Sequence, residues 1–148
     1  MENFHRQLKD FSAWQSANSG HQFTLFDYVF HVNESQEVDS DIFFAHLELC
    51  WPSFIVYDNY ICLKEIFDEG RIGNLIKTKN ENIELWMNFV LLSPFFDGVD
   101  DPRLSRYLTK LMEVWRAKLS LDFPDRSFKV EELSDPNEGD VGITFYQI

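Results

Sequence analysis

Residues 101–119 carry the pattern that most restricts the fold, a long amphipathic stretch behind a helix-start signal. Asp101 can accept hydrogen bonds from the free N–H groups of a first helical turn, and the fixed backbone angle of Pro102 suits that turn. Large apolar residues then recur every three or four positions, at Leu104, Leu108, Leu111, Trp115 and Leu119. The pattern predicts a helix that docks one face on a sheet.

Two hairpins are predicted in the second half of the chain. Residues 54–57 and 60–63 are apolar and flank Asp58 and Asn59, which suit a two-residue turn and place Cys62 opposite residue 55. Near the end of the chain, apolar and polar residues alternate in two segments, with the apolar positions at Phe128, Val130, Val141, Ile143 and Phe145. This alternation predicts a final pair of strands.

Two more strands are predicted nearer the N-terminus. Residues 22–32 are rich in aromatic and β-branched side chains on both alternating faces, which favours a buried strand. Residues 42–51 alternate in part before Pro52, which interrupts a strand ladder. Between them, residues 33–41 hold four acids and no base, and this composition predicts an exposed acidic loop.

Helical spacing appears in three further segments. Phe4, Leu8, Phe11 and Gln15 form an apolar stripe that ends at residues 18–20. Residues 64–79 favour a helix despite two glycines, and residues 82–92 favour a helix with a strand as the alternative. The order of elements predicts an α+β fold, with one antiparallel sheet of five to six strands packed against two to four helices in a single layer on one face. Residues 1–148 are expected to form a single globular domain.

The charge balance restricts the partners. The chain has 13 basic and 25 acidic residues, a net charge of −12. Nucleic-acid and membrane-surface binding both need clustered lysine and arginine, so neither is expected. The N-terminus lacks the basic flank and apolar stretch of a signal peptide, and Cys50 and Cys62 lie among apolar neighbours without metal-ligand spacing. We therefore expect a cytoplasmic protein with buried thiols and no cofactor.

No local pattern predicts catalysis. Residues 70–73 lack the glycine spacing of a nucleotide-binding turn, and no hydrolase or zinc-protease motif occurs. Asp97, Asp100 and Asp101 crowd one turn, but they depart from calcium-loop spacing, and helix capping explains the last two without an ion. The sequence thus favours a protein that is not an enzyme, and it predicts no metal site.

The last 28 residues suggest a basic protein partner, because they hold seven acids against only Arg126 and Lys129. An acidic surface steers a basic protein toward itself, and exposed tyrosine beside carboxylates is typical of binding surfaces. The alternative is that the acids serve only solubility. The candidate partner-binding residues are Glu131, Glu132, Asp135, Glu138, Asp140 and Tyr146.

A second hypothesis is a small-molecule or enzymatic pocket between the sheet and the helix that follows Asp101. His31 and His46 fall on the two predicted N-terminal strands, which could be neighbours, and Glu48 lies one step along the same face from His46. These three residues form the candidate pocket set.

Overall fold

The computed structural model describes residues 8–97, 101–135 and 140–148, without the side chains of Lys9 and Asp135. The chain divides into two compact units, Met1–His46 and Leu47–Ile148. The first unit contains helices α1 (Lys9–Ala17) and α2 (Leu25–Gln36), and helix α3 (Asp41–Cys50) begins in it.

The first unit is organised by an aromatic cluster between α1 and α2. Phe11 on α1 is fully buried, and its ring lies 6.2 Å from that of Phe23 and 5.7 Å from that of Tyr28. Trp14 stacks on His31 at 5.8 Å. Such ring contacts stabilise a small unit beyond the area that they bury. The helix predicted at the start of the chain is confirmed from Lys9 onward, whereas Phe4 lies outside the described residues.

The strands predicted at residues 22–32 and 42–51 are wrong, because both segments are helical. Thr24 forms a capping box with Asp27, in which each side chain accepts a hydrogen bond from the other residue's backbone N–H. This local start signal outweighs the weak strand preference of the aromatic residues. The predicted acidic loop at residues 33–41 is correspondingly shorter, since α2 continues to Gln36 and α3 starts at Asp41.

The second unit contains the strands and three more helices. Strands β1 (Phe54–Tyr57) and β2 (Tyr60–Leu63) form the predicted hairpin, with Ile55 opposite Cys62. Helices α4 (Glu69–Lys77) and α5 (Ile83–Met87) follow, and then strand β3 (Val90–Leu91) and a short 3-10 helix at 93–95. Helix α6 (Pro102–Asp122) and strands β4 (Phe128–Asp135) and β5 (Asp140–Gln147) complete the unit.

The α+β class is confirmed, but the single sheet of five to six strands and the count of two to four helices are wrong. The described residues contain six α-helices. The described residues form two antiparallel sheets, one of β1 and β2 and one in the order β3, β5, β4. Helix α6 packs on β4 and β5 through the predicted apolar stripe, all of which is buried. Its start is also as predicted, since the Asp101 carboxylate accepts a hydrogen bond from the backbone N–H of Arg103.

Helix α5 contacts a strand of each sheet, β2 and β5. Its residue Glu84 accepts backbone N–H bonds from Ile61 on β2 and Gln147 on β5, both at 2.7 Å. One turn later, the carboxamide of Asn88 accepts from the N–H of Leu63 at 2.8 Å and donates to the carbonyls of Ile61 and Phe145 at 2.9 and 3.2 Å. We call these two side chains the α5 clamp. They provide hydrogen-bond partners for backbone groups at the edges of β2 and β5, which would otherwise be buried without partners.

Gly142 lies at a position of the larger sheet that has no room for a side chain. It lies on β5 opposite Leu91 and Leu133. A Cβ atom built on it would lie 2.6 Å from Phe89 Cε2 and even closer to the carbonyl oxygen of Val90. Only a residue without a side chain leaves room for this contact.

We expect Asn88→Ala to lower the free energy of unfolding by about 3 kcal/mol or more, since it leaves three buried backbone groups without a partner. Asn74→Ala is the matched control, because Asn74 is exposed on α4, and it should change stability by less than about 0.5 kcal/mol. Urea unfolding followed by circular dichroism measures both values. Equal losses in the two variants would contradict the role of Asn88 in the α5 clamp.

We expect Gly142→Ala to lower the free energy of unfolding by about 1–3 kcal/mol, because the added methyl group forces the Phe89 ring and the Val90 backbone apart. The same substitution at Gly73, which lies in α4 with no atom within 4 Å of the added group, should be neutral or stabilising by up to about 1 kcal/mol. Thermal unfolding of the pair measures the difference, and a neutral Gly142→Ala variant would refute the close contact.

Candidate functional site

Helix α2 is apolar on two opposite faces. One face carries Tyr28 and His31, which contact aromatic rings of α1 and of the segment before α2. The other carries Phe26, Val29 and Phe30, which are 87%, 48% and 60% exposed. Positions three and four residues apart lie side by side on a helix, so these three side chains form one stripe. We call it the α2 stripe.

Helix α3 presents large apolar side chains to solvent as well. Phe44 is 71% exposed and Leu47 is 63% exposed, and Ile42 and Phe43 are also exposed. No residue of α2 or α3 is buried. Isolated apolar residues at a surface need no explanation, but runs of them on two successive helices are typical of interaction surfaces.

The segment that carries these helices is acidic throughout. Residues 25–50 contain six carboxylates and neither lysine nor arginine. Four of the six are exposed and lie from the last turn of α2 to the first residue of α3, at Glu34, Glu37, Asp39 and Asp41. We call these four residues the acidic connection. Its Asp39 carboxylate accepts a hydrogen bond from the Asp41 N–H at 2.9 Å, which orders the start of α3.

The C-terminal hairpin places the predicted partner-binding residues on β4, on β5 and in the segment between them. The Glu131 carboxylate contacts Lys129 Nζ at 2.6 Å and accepts a hydrogen bond from the Tyr146 hydroxyl at 2.8 Å. These two contacts lower the pKa of Glu131, with the lysine as the larger cause. Glu131 and Tyr146 are therefore engaged with each other and with Lys129.

The structure describes the remaining predicted residues of the hairpin to different extents. Glu132 is exposed on β4, and Asp140 is partly exposed at the start of β5. The backbone of Asp135 lies opposite that of Asp140 at the end of the hairpin, whereas Glu138 lies outside the described residues. Among the described side chains of the hairpin, the carboxylates of Glu132 and Asp140 are thus the ones that a partner can contact.

The candidate pocket set is not assembled in the predicted way, because His31 and His46 lie on helices and not on neighbouring strands. His31 is part of the aromatic cluster of the first unit, and its Nδ1 is 3.9 Å from the carboxylate of Glu34. Glu48 accepts a hydrogen bond from the N–H of Ser53 at 2.9 Å, just after the end of α3. Within the part of the chain that the structure describes, no group of three or more metal-ligating side chains is present.

The second unit contains a half-open cavity of about 520 Å³ beside the α5 clamp. Its walls include Asp58, Glu81, Glu84, Tyr146 and Gln147, and none of the candidate pocket set. Both oxygens of Glu84 are already engaged, because Gln147 Nε2 donates to one of them at 2.6 Å in addition to the two backbone donors. This carboxylate therefore acts as a structural acceptor.

The two cysteines lie in different surroundings. Cys62 is buried in β2, and burial, with a smaller contribution from Glu84, raises the pKa of its thiol to about 12. The sulfur of Cys50 lies 4.0 Å from the Tyr107 hydroxyl. A thiol with such a raised pKa stays protonated at neutral pH, and only the thiolate attacks.

The sequence prediction did not identify the exposed helices or the α5 clamp. A signal for the first is the Thr24–Asp27 pair, which has capping-box spacing ahead of an apolar run. A signal for the α5 clamp is Asn88, the sole polar residue in the run 85–92, because a polar group in such a position is buried only with hydrogen-bond partners.

Among the described residues, no helix is both long and apolar enough to cross a membrane. Comparison of the chain with models of known protein families, with curated proteins and with solved structures gives no match.

Proposed function

We propose that this chain is a non-enzymatic protein-binding module whose partner is a basic protein. The observation that carries the proposal is the combination found in residues 25–50, where exposed apolar side chains on α2 and α3 accompany six carboxylates without any lysine or arginine. Removing exposed phenylalanine side chains from water is favourable, so a partner that covers them is stabilised by the apolar area that binding buries. The surrounding carboxylates select a partner of positive charge.

The basic residues of the second unit support the same conclusion, because many of them are bound within the chain. Arg71 and Arg116 donate to backbone carbonyls, and Arg126 donates to the side chain of Gln147. Arg103 pairs with Asp97 and Asp101, and Lys129 pairs with Glu131. These cations are held against their own chain, and the excess of 25 acidic over 13 basic residues makes the field around the molecule negative.

In this proposal the C-terminal hairpin acts at longer range than the helices. Glu131 is held by Lys129 and Tyr146, so its charge is already compensated at short distance. Glu132 and Asp140 remain available, and Asp135 and Glu138 add to the same negative hairpin. Such charges raise the rate of association with a basic protein more than they raise the final affinity.

The test is affinity capture from the source lysate at low and at raised salt, followed by association kinetics with the purified captured protein. We expect a basic protein that binds wild-type chain in a salt-sensitive way. Neutralising the acidic connection should slow association by about tenfold or more. The variant combines Glu34→Gln, Glu37→Gln, Asp39→Asn and Asp41→Asn, which keep the shape of each side chain and the Asp39 cap.

A matched control removes four exposed acids of the second unit, and it should change the association rate by less than about threefold. The substitutions are Glu65→Gln, Glu81→Gln, Glu113→Gln and Asp125→Asn. A hairpin variant that neutralises Glu131, Glu132, Asp135, Glu138 and Asp140 should lie between these two in rate. A captured protein that is acidic, or equal rates for the acidic-connection variant and its control, would refute the proposal.

A further inference from the structure

We infer that the α2 stripe is the docking surface for a basic amphipathic helix of the partner protein. The inference rests on the proposed function and specifies where and by what kind of element the partner is bound. Phe26, Val29 and Phe30 point away from the α1 contact and are exposed, so they are the part of α2 that is available for packing.

The type of contact follows from the backbone of α2. Inside a helix the N–H and C=O groups are already bonded to each other, so an incoming chain cannot add to α2 as a strand adds to a sheet edge. Contact must come from side chains that pack between side chains. A stripe with spacing of three and four residues fits the ridges of a second helix, whose own apolar residues recur with the same spacing.

The sign of the partner's charge follows from the C-terminal end of α2. No basic residue lies in its last turn, so the negative end of the helix dipole is uncompensated. The acidic connection starts in that same turn with Glu34 and continues through Asp41. Lysine or arginine on the docking helix would compensate both the dipole and these carboxylates, and would contact them beside the apolar stripe.

A second copy of the chain is disfavoured as the occupant by the same charges. Each copy carries a net charge of −12. A symmetric contact through α2 would bring two acidic connections to one interface without a lysine or arginine from residues 25–50 to separate them. Like charges placed together in this way oppose association.

The test uses synthetic peptides as probes for the full chain. The first is a peptide of about eighteen residues, made of leucine and lysine with leucine at helical spacing. The second has the same composition in scrambled order, and the third replaces lysine with glutamate. Fluorescence anisotropy of labelled peptide measures each affinity. We expect the first peptide to bind at least about tenfold more tightly than either of the others, and to weaken as salt is raised.

Variants then locate the contact. Phe26→Ser combined with Phe30→Ser should weaken binding of the first peptide by at least about tenfold, because both anchors are lost. Phe95→Ser removes a phenylalanine that is 70% exposed in the second unit, and it should weaken binding by less than about twofold. Circular dichroism should show unchanged folding in both, since these side chains lie at the surface.

Four results would overturn the inference. One is equal binding of the ordered and scrambled peptides, which would mean that charge alone holds them. Another is equal weakening by the α2 variant and by Phe95→Ser. The third is a dimer of the chain in sedimentation equilibrium that the α2 variant dissociates, which would make a second copy the occupant. Salt-sensitive binding that depends on the acidic connection but not on Phe26 and Phe30 would refute the α2 docking surface while the proposed function stands.

Discussion

The second unit depends on two side chains that supply the hydrogen bonds which a neighbouring strand would otherwise supply. Glu84 and Asn88 lie one turn apart, so both reach from the same side of α5 to the edges of β2 and β5. Each bond joins segments that are far apart in the chain, such as Ile61 and Phe145 through Asn88. Buried backbone groups must find partners, and a side chain that provides them fixes where the two sheets can lie.

The two units use apolar residues in opposite ways. In the second unit the apolar stripe of α6 is covered by β4 and β5, and Trp115 and Phe145 are fully buried. In the first unit only one face of α2 contacts other rings, through Tyr28 and His31, and no residue of α2 is buried. A helix that is apolar on two faces but covered on one leaves an apolar face that its own unit does not bury. Together with the acid excess of residues 25–50, this unburied face is the basis of the proposed function.

The sequence predicts those elements whose signals are local. Asp101 and Pro102 start α6, and Asp58 and Asn59 turn the first hairpin, because caps and turns act through neighbouring backbone atoms. Aromatic residues in segments 22–32 and 42–51 fit the period of a helix as well as that of a strand. In the first of these segments, contacts of α2 with α1 favour the helix. The α5 clamp and the pairing of Glu131 with Tyr146 both join residues distant in sequence. The spacing of residues along the chain does not determine such contacts.

The measurement that tests the central claim most directly is hydroxyl-radical footprinting of the free chain at low concentration, with oxidation of each phenylalanine read by mass spectrometry. If the first unit presents an open apolar surface, Phe26, Phe30 and Phe44 should oxidise at rates close to that of the exposed Phe95, while Phe11 and Phe145 stay protected. Protection of Phe26 and Phe30 to the level of Phe11 would mean that the surface is already covered in the free protein, and would contradict the account.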